Sequence, residues 1–336
     1  MIIALDVMGG DKGPREMIRG ALAALERVPS QVMLIGTQET IEGVLEEFKE
    51  SSPRLSFTYT TEVIENDDKP VQAIKRKKDS SMVVGFDLLK KGEIDAFISA
   101  GNTGALLAGG LLRLGRIRGI DRPSLATVYP MKGKMGILTD AGANAEVKPQ
   151  NYLEFATMAS IYASRVLGIS SPKVGLVNIG TEKTKGTPQL LATYELLEKS
   201  NLNFIGNIEG RDIPLGVADI ALADGFTGNV ILKVTEGVAT SITDHLKSMF
   251  MKNTGTRVAA LLVKSGLAAF KKTMDYTEYG GAPLLGLKGA VVKAHGSSNH
   301  KAIMNAIVYA QKYLDSGVID EIETYVKDRS EAVDEA

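Results

Sequence analysis

The chain has 336 residues, 44% of them hydrophobic and 24% charged, with a formal net charge of -1. That is enough for one large α/β domain or two smaller ones, and it lacks the overall basic bias of a nucleic-acid binder, so no nucleic-acid partner is expected. Cysteine is absent, which excludes disulfides, thiolate metal sites and an enzyme thioester.

Met1 to Asp6 opens the chain as an apolar run without the basic start or small-residue cleavage site of a signal peptide, so it reads as a buried strand and a cytoplasmic location is expected. Strand-like runs follow at Ile2 to Val7, Gln31 to Ile35, Leu55 to Thr60, Ile94 to Ile98, Leu125 to Tyr129, Gly136 to Thr139, Lys173 to Val177, Asn203 to Gly206, Ile220 to Ala223 and Ala290 to Lys293. Helical patterns alternate with them at Glu16 to Arg27, Glu39 to Lys49, Tyr152 to Leu167, Pro188 to Lys199 and Lys301 to Leu314. Repeated βα units predict a mainly parallel sheet covered by helices on both faces. Around Lys132, Gly133 and Lys134 two runs lie close enough for an antiparallel hairpin. The uncharged stretch Ala96 to Leu112 is broken by Ser99, Asn102, Thr103 and several glycines, which fits strand, loop and helix rather than a membrane span. With no low-complexity linker, residues 1–336 read as a single α/β domain, and the charged tail 327–336 is expected to fray.

Between Asn229 and Asp275 strand signals cease, and two helical patterns meet around Lys252 to Gly255. A helical hairpin insertion over 229–275 is predicted. Val230, Val234, Val238, Ile242, Leu246 and Met249 stripe its first arm, and Val258, Leu261, Leu262, Phe270 and Met274 its second. Such stripes suit a dimer interface. Lys247, Lys252, Arg257, Lys264, Lys271 and Lys272 make the hairpin locally basic, so contact of its tip with an anionic membrane surface is compatible with that.

Six polar, glycine-bearing segments recur where strands end: Met8 to Asp11, Ser99 to Gly104, Asp140 to Asn144, Asn178 to Glu182, Asp224 to Asn229 and His295 to Asn299. In open α/β sheets ligands bind beyond the carboxyl ends of strands, so these segments are candidate walls of one crevice. Ser99 to Gly104 precedes a helical run, a geometry suited to an anion, although Asn102 and Thr103 also suit helix capping. Asp224 stands as an acid, a base or a cap. His295 fits proton handling or a hydrogen bond within its loop. The dense run Lys75, Arg76, Lys77 and Lys78 suits an acidic partner or a solvated helix face. Neither a GxxxxGK[ST] loop nor a GxGxxG turn after the first strand occurs, so no nucleotide cofactor is expected. Three scattered histidines without metal-ligand spacing give no expectation of a metal.

Taken in order, Asp6 to Asp11, Arg76 to Lys78, Ser99 to Ala105, Asp140 to Asn144, Asn178 to Glu182, Asp224 to Asn229, Tyr279 to Leu287 and Ala294 to Ser298 resemble the bacterial phosphate acyltransferases of phospholipid synthesis, from Ile2 to about Gly317. The resemblance implies transfer of a long fatty acyl chain from acyl carrier protein to inorganic phosphate. The acyl phosphate would then feed a membrane glycerol-3-phosphate acyltransferase. It also implies a homodimer with a Rossmann-like three-layer α/β/α core, peripherally associated with the membrane. A more distant likeness to phosphotransacetylases rests on Gly281 to Leu287 and Thr227 to Asn229, whereas their serine and arginine beside a later aspartate are matched here by Ala294, His295 and then Lys301. On this reading Gly101, Asn102, Thr103 and Gly104 cradle phosphate, Asn144, Asn229 and Ser297 donate to phosphate or the oxyanion, His295 handles the proton at the leaving thiolate with Asp224 as second candidate, and Lys75 to Lys78 steer the carrier. Two other classes remain: a dehydrogenase on a related scaffold, discriminated by nicotinamide binding, and a noncatalytic membrane-docking scaffold, discriminated by vesicle binding without turnover.

Overall fold

The computed structural model describes residues 1–49, 51–267 and 280–334. Strands assort into two sheets rather than one. The larger runs β3 (Leu55–Tyr59), β2 (Gln31–Gly36), β1 (Ile2–Asp6), β4 (Ala96–Ser99), β12 (Ala290–Lys293), β11 (Ala282–Leu285) and β5 (Ser124–Leu125), and the smaller runs β6 (Thr127–Met131), β7 (Lys134–Thr139), β10 (Ile220–Leu222), β8 (Val174–Asn178) and β9 (Phe204–Glu209). Most neighbours are parallel; β11 runs antiparallel to both β12 and β5, and β6 runs antiparallel to β7 through the turn at Lys132 and Gly133. This is the α/β architecture expected from the alternation. Strands such as β1, β4 and β12 are apolar along their length because parallel strands are covered on both faces, and Ile3, Ala4, Leu5, Phe97, Ile98, Val291 and Val292 are fully buried.

One hydrophobic cluster spans the two sheets. Leu5, Ile98 and Val292 of the larger sheet join Ile137, Leu176 and Leu222 of the smaller through Phe155, Met158 and Tyr162 of α6 (Pro149–Leu167) and Ile303 and Ile307 of α10 (His300–Asp315). Each fully buried aliphatic or aromatic side chain of this kind contributes about 1.5–3 kcal/mol relative to exposure. Helix α1 (Pro14–Leu25) lies so close to α10 that a Cβ on Gly20 would stand 2.6 Å from the Ile303 Cβ. Glu16 of α1 accepts from the His300 amide at 2.7 Å and approaches His300 Nδ1 at 2.9 Å, tying the two helix starts together.

The predicted hairpin begins as α8 (Gly225–Met251), turns at Lys252 and Asn253, and returns through α9 (Thr254–Leu262), where Asn253 Oδ1 accepts from the Thr256 amide at 2.9 Å. Its stripes point outward: Val234 is 58% exposed and Leu262 81%. Phe270, Lys271, Lys272 and Met274 of the second arm lie outside the described residues. Among the described residues no helix is long and apolar enough to cross a membrane.

Four elements were not anticipated. Strand β11 is short and contains Pro283; α3 (Pro70–Arg76) is a short helix entered through proline. Helix α4 (Ser81–Lys91) starts at a Ser80 cap and buries Met82, Val83, Phe86 and Leu89 at three- and four-residue spacing. Helix α11 (Val318–Asp334) continues through the segment 327–334 that was expected to fray, since Lys, Arg, Glu and Ala there are good helix formers.

Candidate active site

Between the sheets lies a cavity of about 550 Å³. Four of the six glycine-bearing segments contribute to its lining: Gly101 to Gly104, Ala141 and Gly142, Asn229, and His295, Gly296 and Ser298. The first segment, Met8 to Asp11, packs behind the wall. A Cβ on Gly9 would meet the Gly101 amide nitrogen at 2.5 Å, and the Asp11 amide donates to Gly296 O at 2.7 Å. Asn178 to Glu182 forms no part of the lining: Asn178 Nδ2 donates to Lys185 O at 3.0 Å and Glu182 O accepts from Asn207 Nδ2 at 2.9 Å.

The Ser99 to Gly104 turn is held from below by a buried carboxylate. Asp6 Oδ2 accepts from Ser99 Oγ at 2.7 Å, Ser99 Oγ accepts from the Gly101 amide at 3.0 Å, and Asp6 Oδ1 accepts from the Met8 amide at 3.0 Å. Burial raises the Asp6 carboxyl above its ordinary range even though these donors oppose the shift. Asn102 uses both ends of its amide: Oδ1 caps α5 (Thr103–Gly109) by accepting from Ala105 N at 3.0 Å, and Nδ2 donates to Asn66 O at 2.9 Å. It therefore fixes the turn, leaving the start of α5, with its unpaired amide positions and positive dipole end, toward the cavity.

Helix α8 carries the opposite wall. Asp224 caps it, accepting from the Thr227 amide at 2.7 Å and from Tyr152 OH at 3.1 Å, and it is not part of the lining. Asn144 is also outside the lining, buried, with Nδ2 donating to Pro123 O and Asp140 Oδ2 at 2.8 Å. Asp140, raised by burial against its backbone and Asn144 donors, organises the whole turn: its Oδ1 accepts from the amides of Leu125, Gly142 and Ala143, and its Oδ2 from Asn144. Glycine is needed where α8 meets this turn, because a Cβ on Gly228 would lie 1.9 Å from Asp140 O. That close approach delivers Asn229, Lys233 and Glu236 to the cavity.

His295 stands beside two residues that the sequence reading did not single out. Its Nε2 is 3.0 Å from Lys233 Nζ and 3.7 Å from Glu236 Oε1, while Lys233 Nζ donates to Glu236 Oε2 at 2.8 Å. Burial works against the Glu236 carboxylate, but the nearby His295 ring and the hydrogen bond from Lys233 outweigh it and hold the group below its ordinary range. Ser297 lies on the far side of the ring, with its amide 3.1 Å and its Oγ 2.8 Å from His295 Nδ1. Lys293 also lines the cavity. The sequence signals for these residues were slight: a charged i,i+3 pair within an apolar-striped helix, and one lysine ending a buried strand next to His295. The basic run lies elsewhere, at the end of α3. Lys75, Arg76 and Lys78 are exposed, whereas Lys77 Nζ donates to Val63 O at 2.8 Å and pairs with Asp68.

A family model described as "Fatty acid synthesis protein" matches residues 1–321. The phosphate acyltransferase of Alkaliphilus oremlandii is 55% identical over 322 residues, with 96% of each chain covered. This chain belongs to the phosphate acyltransferase family. The corresponding protein of Thermoanaerobacter pseudethanolicus is 50% identical over 328 residues, covering 97% of this chain and 98% of its own. Among solved structures, a phosphotransacetylase from Streptococcus pyogenes superposes with a TM-score of 0.60 at 16% identity over 94% of each chain, a likeness of fold. The enzyme is thus an acyltransferase with an α/β fold, and its cavity is walled by the strand-end loops and the start of α8.

Proposed function

We propose that the enzyme transfers a long-chain fatty acyl group from the thioester of acyl carrier protein directly to inorganic phosphate, giving an acyl phosphate for phospholipid synthesis. The observation that carries this reading is the shared cavity of the Gly101 to Gly104 turn and the His295, Lys233 and Glu236 group. The first offers amides and a positive helix end to an anion; the second offers cationic and proton-bearing groups to the reacting atoms. A phosphate oxygen attacks the thioester carbonyl carbon, the C–S bond breaks, and the carrier thiolate leaves. The proton lost by phosphate passes through the His295 imidazole to the sulfur. Phosphate is already anionic, so positioning supplies most of the acceleration. Asn229 donates to the developing oxyanion, Ser297 orients His295, and Asn102, Asn144 and Asp224 hold the walls in register.

The exposed stripe of α8, with Val230, Val234, Val238 and Ile242, supports a homodimer contact. Lys247, Lys252, Arg257 and Lys264 along the hairpin support contact of its tip with an anionic membrane surface, where a glycerol-3-phosphate acyltransferase would take the product. The exposed Lys75, Arg76 and Lys78 support steering of the acidic carrier. The reaction is tested with purified enzyme, palmitoyl carrier protein and phosphate, without added metal or nucleotide. Acyl phosphate and free carrier thiol in equal amounts are expected; no product from a folded enzyme and a competent carrier substrate would overturn the reading.

A further inference from the structure

Lys293 ends β12 directly across from Ser99 of β4, so its side chain leaves the sheet beside the turn that opens into α5. It lines the cavity, and its Nζ donates to Ala294 O at 2.6 Å. Lys233, the other lysine of the lining, is neutralised by Glu236 at 2.8 Å. Lys293 has no such partner: among the described residues no carboxylate forms an ion pair with it. One backbone bond leaves an ammonium group with two further N–H donors.

We infer that Lys293 is the cation that holds the phosphate substrate against the start of α5. The inference rests on the phosphate reading above and deepens it by naming the charge that receives the dianion. Lys233 and His295 are instead engaged with Glu236.

The surroundings of Lys293 make its charge responsive. Burial lowers its pKa to about 8; Asp6 and Asp11 on the β1 side oppose that shift, and Lys233 on α8 adds to it. Both carboxylates already accept other donors, Asp6 from Ser99 and the Met8 amide and Asp11 from Asn66 Nδ2 at 3.3 Å. Among the described residues, Glu236 and His295 are the other charged or titratable groups that border the cavity. An arriving dianion favours the protonated lysine, so phosphate binding takes up a proton above the resting pKa. Inorganic phosphate is itself already a dianion across that range, leaving the loss of affinity to the protein.

The test measures binding of inorganic phosphate by calorimetry and the KM for phosphate, from about pH 7 to about pH 10, in wild type, Lys293→Met and Lys293→Arg. Wild-type affinity is expected to hold at neutral pH and to fall above about pH 8, by up to about tenfold per pH unit. Lys293→Met should weaken phosphate about tenfold or more at neutral pH, with the KM for the acyl donor little changed. Lys293→Arg, always charged, should bind phosphate without the alkaline fall. If Lys293→Met does not fold, the pH profile of Lys293→Arg decides alone. Unchanged phosphate affinity in Lys293→Met, or an alkaline fall that survives in Lys293→Arg, overturns the inference while leaving acyl transfer to phosphate intact. Conversely, Lys293-dependent phosphate binding by a wild type that forms no acyl phosphate would sustain this site and overturn the proposed reaction.

Discussion

The Asp140–Asn144 and His295–Asn299 turns both follow a buried strand, and both set a titratable side chain among small polar residues. At the first, every carboxylate oxygen is occupied by backbone amides or the Asn144 side chain, and the group is buried. At the second, the ring lies between Ser297 and Lys233 on the cavity wall, with Glu236 beyond. A carboxylate satisfied by its own turn shapes the wall; a ring held by other side chains at the wall's surface is available for chemistry. Asp224 and Asn144 belong with the first kind.

The largest effect is expected from Gly228→Ala, which disturbs the Asp140 turn itself. With 1.9 Å between the new Cβ and Asp140 O, the start of α8 must shift, costing about 3 kcal/mol; thermal unfolding should show the loss, and activity should fall with it. Next, His295→Ala should lower kcat about a hundredfold while leaving the unfolding temperature near that of wild type, since the ring is not in the core. Full activity in that variant would remove His295 from proton handling. Asp224→Ala should cost about 1 kcal/mol of stability through loss of the α8 cap, and Asp224→Asn, which preserves capping, should match wild type in the KM for phosphate and in kcat. A large kcat loss in Asp224→Asn would move Asp224 into the chemistry.

The smallest effect is expected at Glu16, outside the cavity lining. Glu16 is held below the ordinary carboxylate range, first by the His300 amide and then by the His300 ring, against a burial penalty. A carboxyl whose folded-state pKa is depressed stabilises the fold at pH above its unfolded value and loses that contribution as pH falls through the folded value. Glu16→Gln should therefore cost up to about 1 kcal/mol near neutral pH and match wild type in acid, a difference visible in unfolding curves at two pH values.

Much of this architecture was legible because parallel strands advertise themselves as apolar runs. Ile2 to Val7, Ile94 to Ile98 and Ala290 to Lys293 became neighbouring strands, and the Lys252 to Gly255 break became the hairpin turn. Division into two sheets was not legible, since sheet membership depends on long-range pairing and one core runs through both. Strand β11 was hidden by Gly281 and Pro283, residues that read as loop. The Gly101 to Gly104 turn and His295 were visible in sequence as glycine- and histidine-bearing strand ends. Lys233 and Glu236 were not, because only the close approach at Gly228 aims that face of α8 at His295.

Direct transfer to phosphate is tested by a single turnover of acyl carrier protein substrate by excess enzyme, with phosphate withheld and then added. Direct transfer within this cavity predicts no carrier thiol before phosphate and stoichiometric thiol with acyl phosphate after it. A burst of thiol in the absence of phosphate would contradict it.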